Sequence, residues 1–309
     1  MGPLWLARGF IYTGGLIMHR IVGFVSLLAA LLMPISSSAG ADKDVKEAYT
    51  QVGDIKMRYL EAGTGDRNLV FIPGWLMTAE VWKEQIPYFA ARGFHVFAID
   101  PRSQGLTSKT ETGNTYHQQA ADLFAFLKKL KLEHCTLIGW GAGVVTLLEY
   151  VSSPETLRPD ALVFVDWAPP GLDEKDYPSR AAMQQARDTA IAMEDDRSKA
   201  IDHEVHGLFA SQQPGIRYKE LADAAAKTPA GTALAQLFDL ITGDRRTAFA
   251  QILVPVLIVN SQDNRVAGEY MQSKIAGSQL HIVEKVGHAL FLEKPQAFNQ
   301  ALEDFLGKQ

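Results

Sequence analysis

From residue 48 onward, short apolar runs alternate with stretches whose apolar residues recur at helical spacing. Residues 48–52 and 55–61 read as two strands paired around the Gly53-Asp54 turn. Residues 69–72 form an apolar run stopped by Pro73-Gly74, an amphipathic stretch covers 79–91, and 95–100 is the next run. Residues 116–130 carry a helical pattern that leads into the run 135–138, a glycine cluster, a helix-like stretch over 144–151 and a strand at 161–165. Unbroken apolar strands separated by helices predict a mostly parallel sheet covered on both faces. From about 168 to 251 the rhythm changes. This stretch is rich in Ala, Gln, Asp and Lys, lacks β-branched runs, and reads as a helical insertion. The strand-helix pattern resumes with 254–259, a helix near 267–275, a strand at 280–283 and an amphipathic helix over 295–306.

Composition narrows the class. Hydrophobic residues make up 47% and charged residues 21% of 309 positions, as in ordinary globular proteins. The net charge of −5 gives no basic footprint for nucleic acid. The lone Cys135 excludes an internal disulfide and sits in an apolar run, which predicts a buried structural thiol. The Asp, Glu and His residues show no metal-ligand spacing, so no metal and no organic cofactor is expected.

The N-terminus reads separately. Arg20 precedes an apolar run at 21–33, and Ala39-Gly40-Ala41 follows, the layout of a secretory signal peptide. The run is short for a membrane span. Residues 1–41 are therefore expected to be a signal peptide with an over-extended start, Met18 being the true one. Cleavage after Ala41 would remove Arg8 and Arg20 and no acid. The expected product is periplasmic or secreted, with an uncleaved membrane anchor as the alternative. Residues 42–167 and 252–309 form the expected core, and 168–251 the insertion.

Gly139-Trp140-Gly141-Ala142-Gly143 lies between a strand and a helix. In the Gly-x-Ser-x-Gly turn of nucleophilic hydrolases, small flanking residues let a tight turn lift the central side chain beside a helix N-terminus. Everything but the hydroxyl is present. A glycine-rich packing or phosphate turn is the competing reading, although the spacing does not fit Gly-x-Gly-x-x-Gly.

The surrounding motifs bear on that choice. Phe71-Ile72-Pro73-Gly74-Trp75, Asp100-Pro101-Arg102-Ser103-Gln104-Gly105, the glycine cluster and Val286-Gly287-His288-Ala289-Leu290-Phe291 occur in the order found in the α/β-hydrolase family. Over residues 69–151 and 254–306 the chain resembles that family, and most of all small bacterial esterase-type members whose turn reads Gly-Trp-Ser-x-Gly. The resemblance implies a mostly parallel eight-stranded sheet flanked by helices, with a helical cap inserted after the sixth strand.

Carried over residue by residue, the resemblance makes His288 the general base. The backbone N–H groups of Trp75 and Ala142 would form an oxyanion hole. Asp263 is the favoured acid, with Asp166 the alternative, and Asp100 resembles a structural residue of the fold. Trp75, Trp140, Trp167 and Phe291 fall in segments that could line a pocket for a small apolar substrate or pack in the core. Gly141 stands at the nucleophile position and excludes an acyl-enzyme there. A small-molecule enzyme using a His–Asp dyad, an exported binding protein that kept the pocket, and a nucleophile relocated to Ser103 or Ser261 all remain open. A drifted or engineered Ser→Gly change is a further explanation. The N-myc downstream-regulated family, which also resembles this fold, likewise carries glycine in its elbow.

Overall fold

A computed structural model describes residues 45–172 and 177–308. The expected signal peptide and anchor lie outside them. No helix among the described residues is long and apolar enough to cross a membrane.

Eight strands form one sheet in the order β1-β2-β4-β3-β5-β6-β7-β8. They are β1 Lys46–Val52, β2 Ile55–Ala62, β3 Arg67–Ile72, β4 Phe94–Ile99, β5 Cys135–Trp140, β6 Ala161–Val165, β7 Val256–Ser261 and β8 Gln279–Val283. β2 runs antiparallel to β1 and β4, and all other pairs are parallel. Every residue of β5, β6 and β7 is buried, the consequence of helices covering both faces. The period-two alternation sends Leu69 and Phe71 to one hydrophobic layer and Val70 and Ile72 to the other.

The helices are α1 Gln85–Ala90, α2 Tyr116–Leu130, α3 Ala142–Ser152, α4 Arg180–Asp195, α5 Arg197–Gly207, α6 Tyr218–Ala225, α7 Ala230–Thr242, α8 Arg265–Lys274, α9 Leu290–Glu293 and α10 Pro295–Leu306. Four of them, α4 to α7, make up the insertion between β6 and β7. The helix bounds at 116–130 and 295–306 match the apolar periodicity. In α2 the Thr115 side chain accepts from the Gln118 N–H as its N-cap.

Two stretches differ from the sequence expectation. Residues 79–91 divide into a 3-10 turn, Ala79–Trp82, and α1. Pro87 has no N–H to donate back to the turn before it, so a continuous helix would carry an unpaired carbonyl there. The strand expected from Val254 starts at Val256, after Pro255. Proline cannot donate to a central ladder.

Strand register places the loops that matter. Trp140 pairs with Val165, Val165 with Val259, and Ser261 with Val283. The carboxyl ends of β5, β6, β7 and β8 therefore open side by side, where open parallel sheets hold their ligands.

Candidate active site

β5 delivers Gly141, which caps α3 with φ +52° and ψ −118°. L-residues rarely adopt this conformation, and glycine carries no strain in it. The flanking glycines are fixed by space. A Cβ on Gly139 would meet the Gly143 carbonyl at 2.6 Å, and one on Gly143 would meet the Ile72 oxygen at 2.5 Å. The sharp turn is complete without the side chain it usually displays.

His288 faces this turn. A Cβ on Gly141 would stand 2.7 Å from His288 Nε2 and 3.1 Å from Cε1, so the imidazole reaches into the volume that a side chain here would take. The opposite ring nitrogen, Nδ1, is 2.8 Å from Asp166 Oδ2. The loop itself is anchored from below: Trp140 Nε1 donates to the His288 carbonyl at 2.9 Å. Trp140 also packs edge-on against Phe291, which stacks on Trp82 at 4.0 Å between centroids.

The carboxylate against the histidine is thus Asp166 and not Asp263, which sequence spacing favours. Asp166 follows the last residue of β6 at φ +42°, a conformation that Asp tolerates better than most residues. It is 1% exposed. Oδ1 accepts from the Ser261 N–H at 2.6 Å, and Oδ2 accepts from Asn264 Nδ2 at 3.0 Å as well as facing His288. Asp263 lies on the cavity rim, exposed, two residues beyond β7 and just ahead of α8. In this loop it is the next side chain, Asn264, that turns inward to Asp166, which leaves Asp263 facing solvent. Asn264 was missed by sequence reading, because an Asn before a helix reads as an ordinary turn residue.

Neither relocated nucleophile stands at the site. Ser103 is fully buried and bonded to Thr110. Ser261 is buried in β7 with its N–H on Asp166. Asp100 knits its own loop: its carboxylate accepts from the Ala79 and Leu106 N–H groups at 2.8 and 2.9 Å. Burial pushes its carboxyl upward from the ordinary range, against the pull of Arg58.

Above the turn lies a cavity of about 710 Å³, within the range of small-molecule sites. Trp75, Trp140, Trp167, Gly141 and His288 line its floor. Phe291, a candidate lining residue, is instead 0% exposed in the aromatic stack that supports the histidine loop. Trp75 and Ala142 also border the cavity, and among the described residues neither backbone N–H has a protein acceptor. Trp75 spans floor and insertion, its Nε1 donating to the Ala233 carbonyl at 3.0 Å.

A second clasp joins the insertion to the histidine loop. The Glu293 carboxylate accepts from Gly287 N–H at 2.6 Å, Ala210 N–H at 3.0 Å and Gln213 Nε2 at 2.9 Å. Gly287 has no room for a side chain, since its Cβ would meet Ala210 N at 2.6 Å. Among the described residues, no group of three His, Cys, Asp or Glu side chains is placed to hold a metal ion.

An eight-stranded sheet of this order, with a sharp strand-to-helix turn facing a histidine–aspartate pair, defines the α/β-hydrolase class of fold. Residues 69–301 match the sequence profile of the Alpha/beta hydrolase family, and the chain belongs to that family. It is 25% identical over 245 residues to the AB hydrolase superfamily protein YisY of Bacillus subtilis, covering 77% of this chain and 91% of that one. It is also 25% identical over 250 residues to a non-heme chloroperoxidase of Streptomyces lividans, with the same coverage, 77% and 91%. Among solved structures, a bromoperoxidase from Bacillus anthracis superposes with a TM-score of 0.78 at 24% identity, covering 85% of this chain and all of that one. An esterase from Exiguobacterium antarcticum gives 0.78 at 22% identity, again over 85% of this chain and 100% of its own. At these identities the structural likeness speaks for the fold.

Proposed function

We propose that this protein, of carboxylic-ester hydrolase ancestry, is a general-base enzyme acting on a small, largely apolar carbonyl compound through the His288–Asp166 dyad. The observation that carries this reading is the placement of His288. Its Nδ1 is held by a buried carboxylate and its Nε2 is turned toward the vacant Gly141 position beside two unpaired backbone N–H groups. In the reaction proposed, Nε2 takes a proton from water as the water oxygen bonds to the substrate carbonyl carbon. The oxyanion accepts from Trp75 and Ala142 N–H. The proton then passes from Nε2 to the departing alkoxide as the carbon–oxygen bond breaks, leaving an acid and an alcohol. Asp166 fixes the tautomer and supports the transient imidazolium. No covalent intermediate forms, because Gly141 offers no nucleophile.

Hydrolysis of a short-chain p-nitrophenyl ester series tests this, with the protein compared to Gly141→Ser and His288→Ala. Turnover that His288→Ala abolishes supports the dyad. An inert protein that gains turnover as Gly141→Ser supports a second reading, a binding protein that kept the pocket. That reading is favoured by the same crowding of Nε2 over Gly141. Gly141→Ser must move the imidazole and hold a side chain at φ +52°, so it should also lower stability by about 1–3 kcal/mol. Export of the chain after cleavage at Ala41 belongs to the same proposal, and N-terminal sequencing of the secreted or periplasmic product checks it.

A further inference from the structure

The cavity lining is of two kinds. The helices α7 and α8 contribute the apolar Leu237, Leu240, Ile241 and Val266. The helix α4 presents Ala182, Gln185, Ala186 and Thr189, a helical i, i+3, i+4, i+7 stripe that is small or polar throughout. Facing the cavity beside Thr189 is Glu204 of α5. We propose that Glu204 is the specificity-determining residue of this cavity and receives the protonated amine of an amine-bearing carbonyl substrate, whose apolar part lies against α7. The proposal rests on the reading of the cavity as the substrate site.

Glu204 is poorly served by the protein around it. Its Oε1 accepts from the Thr189 hydroxyl at 3.3 Å, and among the described residues Oε2 has no hydrogen-bond partner. None of the described residues lining the cavity is a lysine or arginine. Asp166, in contrast, is matched by three donors, and Asp263 is exposed to solvent at the rim. Burial raises the Glu204 carboxyl from its ordinary range, opposed by the Thr189 hydrogen bond and by His203. A carboxylate in this setting is costly to keep ionised unless a donor meets it. An ammonium group supplies a charge-assisted bond, roughly twice as strong as the bond a neutral hydroxyl would make. The same carboxylate repels an anionic ligand, so free carboxylic acids are disfavoured and hydrolysis products bearing one are released.

Calorimetric titration of the purified protein with benzylamine, benzyl alcohol and benzoate near pH 7.5 tests the assignment. Glu204→Gln, which keeps size and the Thr189 contact, is the comparison variant. The expected result is benzylamine binding roughly 10-fold or more tighter than benzyl alcohol, a preference lost in Glu204→Gln while the alcohol binds as before. Equal affinity for the amine in both proteins overturns the assignment of Glu204 and leaves the cavity as a ligand site. Failure of all three probes to bind overturns the cavity reading and the assignment together. Amine-selective binding with no ester turnover in the protein sustains Glu204 and removes the dyad mechanism alone.

Discussion

β5, β6 and β7 bury every residue they contain, whereas the sixteen-residue helix α4 buries only Met193. The sheet is held by continuous apolar contact, with the buried pairs Arg58–Asp100 and Arg102–Asp122 beside it. The insertion joins that apolar core through Ile201, Val205, Phe209 and Ala233 and adds discrete polar links. Gln104 donates to Gln236 at 2.9 Å, the Tyr116 N–H to Asp239 at 2.8 Å, and Arg245 bridges Glu149 and Asp239. The Glu293 clasp and the Trp75 indole complete the seating. Apolar burial is lost gradually over many atoms, while a polar link breaks at one point. The two halves divide the labour: the sheet fixes the base and its acid, and the insertion sets what lies above them, its polar links being the contacts most easily undone.

The largest effect should come from the sheet side of the cavity. With hydrolysis as the assay, His288→Ala should remove turnover by a factor on the order of 10³ or more, and Asp166→Asn by roughly 10²–10⁴. Both proteins should keep their thermal transition within a few degrees, because His288 lies on a loop and Asp166→Asn retains an oxygen that can accept from the Ser261 N–H. A large loss of stability in His288→Ala would show that the histidine loop is structural and would count against the dyad.

Arg102 probes the sealed half directly. It is 3% exposed and bonds Asp122 through Nε at 2.7 Å and a second nitrogen at 2.8 Å, with Asp54 on its outer side. Those hydrogen bonds, led by that to Asp122, hold its guanidinium well above its ordinary pKa despite burial. Arg102→Ala would leave Asp122 charged, buried and short of its partner, at a cost of about 3–5 kcal/mol. Denaturant unfolding should register the whole of that loss. Less than 1 kcal/mol would mean that solvent reaches Asp122 and that the two halves differ less than their burial indicates.

Glu293 lies on the boundary between the halves. Glu293→Ala should leave the Gly287 and Ala210 N–H groups unpaired and loosen the histidine loop against the insertion, to which the Ala289 N–H still donates at the Leu208 carbonyl, 2.8 Å. Turnover should fall roughly 10-fold, more through kcat than KM, with faster hydrogen exchange confined to residues near 205–215 and 286–293. Glu293→Gln retains an acceptor oxygen and should recover most of the activity. If both variants lose activity equally and unfold early, Glu293 serves general stability instead.

The same division decided what could be read from the chain. Strands and flanking helices of the sheet half announce themselves by unbroken apolar runs and 3.6-residue spacing, and the glycines at 139 and 143 by the space they must not fill. Asp166 stands second to Asp263 on sequence alone because its pairing with His288 depends on the register of β6 against β7 and on a positive φ at the strand end, neither of which spacing encodes. Phe291 beside the catalytic-type loop reads equally as pocket or core, and only the stack on Trp82 distinguishes them. Glu204 of the insertion and Glu293 of α9 are ordinary helical acids in sequence. Their importance comes from neighbours that folding brings up, Thr189 for Glu204 and Ala210 and Gln213 for Glu293.

The smallest effect is also the most discriminating for the insertion. Burial raises the Glu204 carboxyl above its unfolded value, so the favourable contribution of its protonated form is present at low pH and fades as pH rises through the folded pKa. The protein without ligand should therefore carry a destabilising carboxylate at neutral pH. Glu204→Gln should raise the melting temperature by roughly 1–2 °C at pH 7.5, and the gain should shrink as pH falls through the raised pKa of the folded carboxyl. Saturating benzylamine should reverse the order at pH 7.5, since only the carboxylate gains from the bound cation. A Glu204→Gln protein no more stable than the parent at any pH would place the carboxylate in contact with bulk water, and α4 and α5 would then be a solvent-facing wall with no part in selecting what enters.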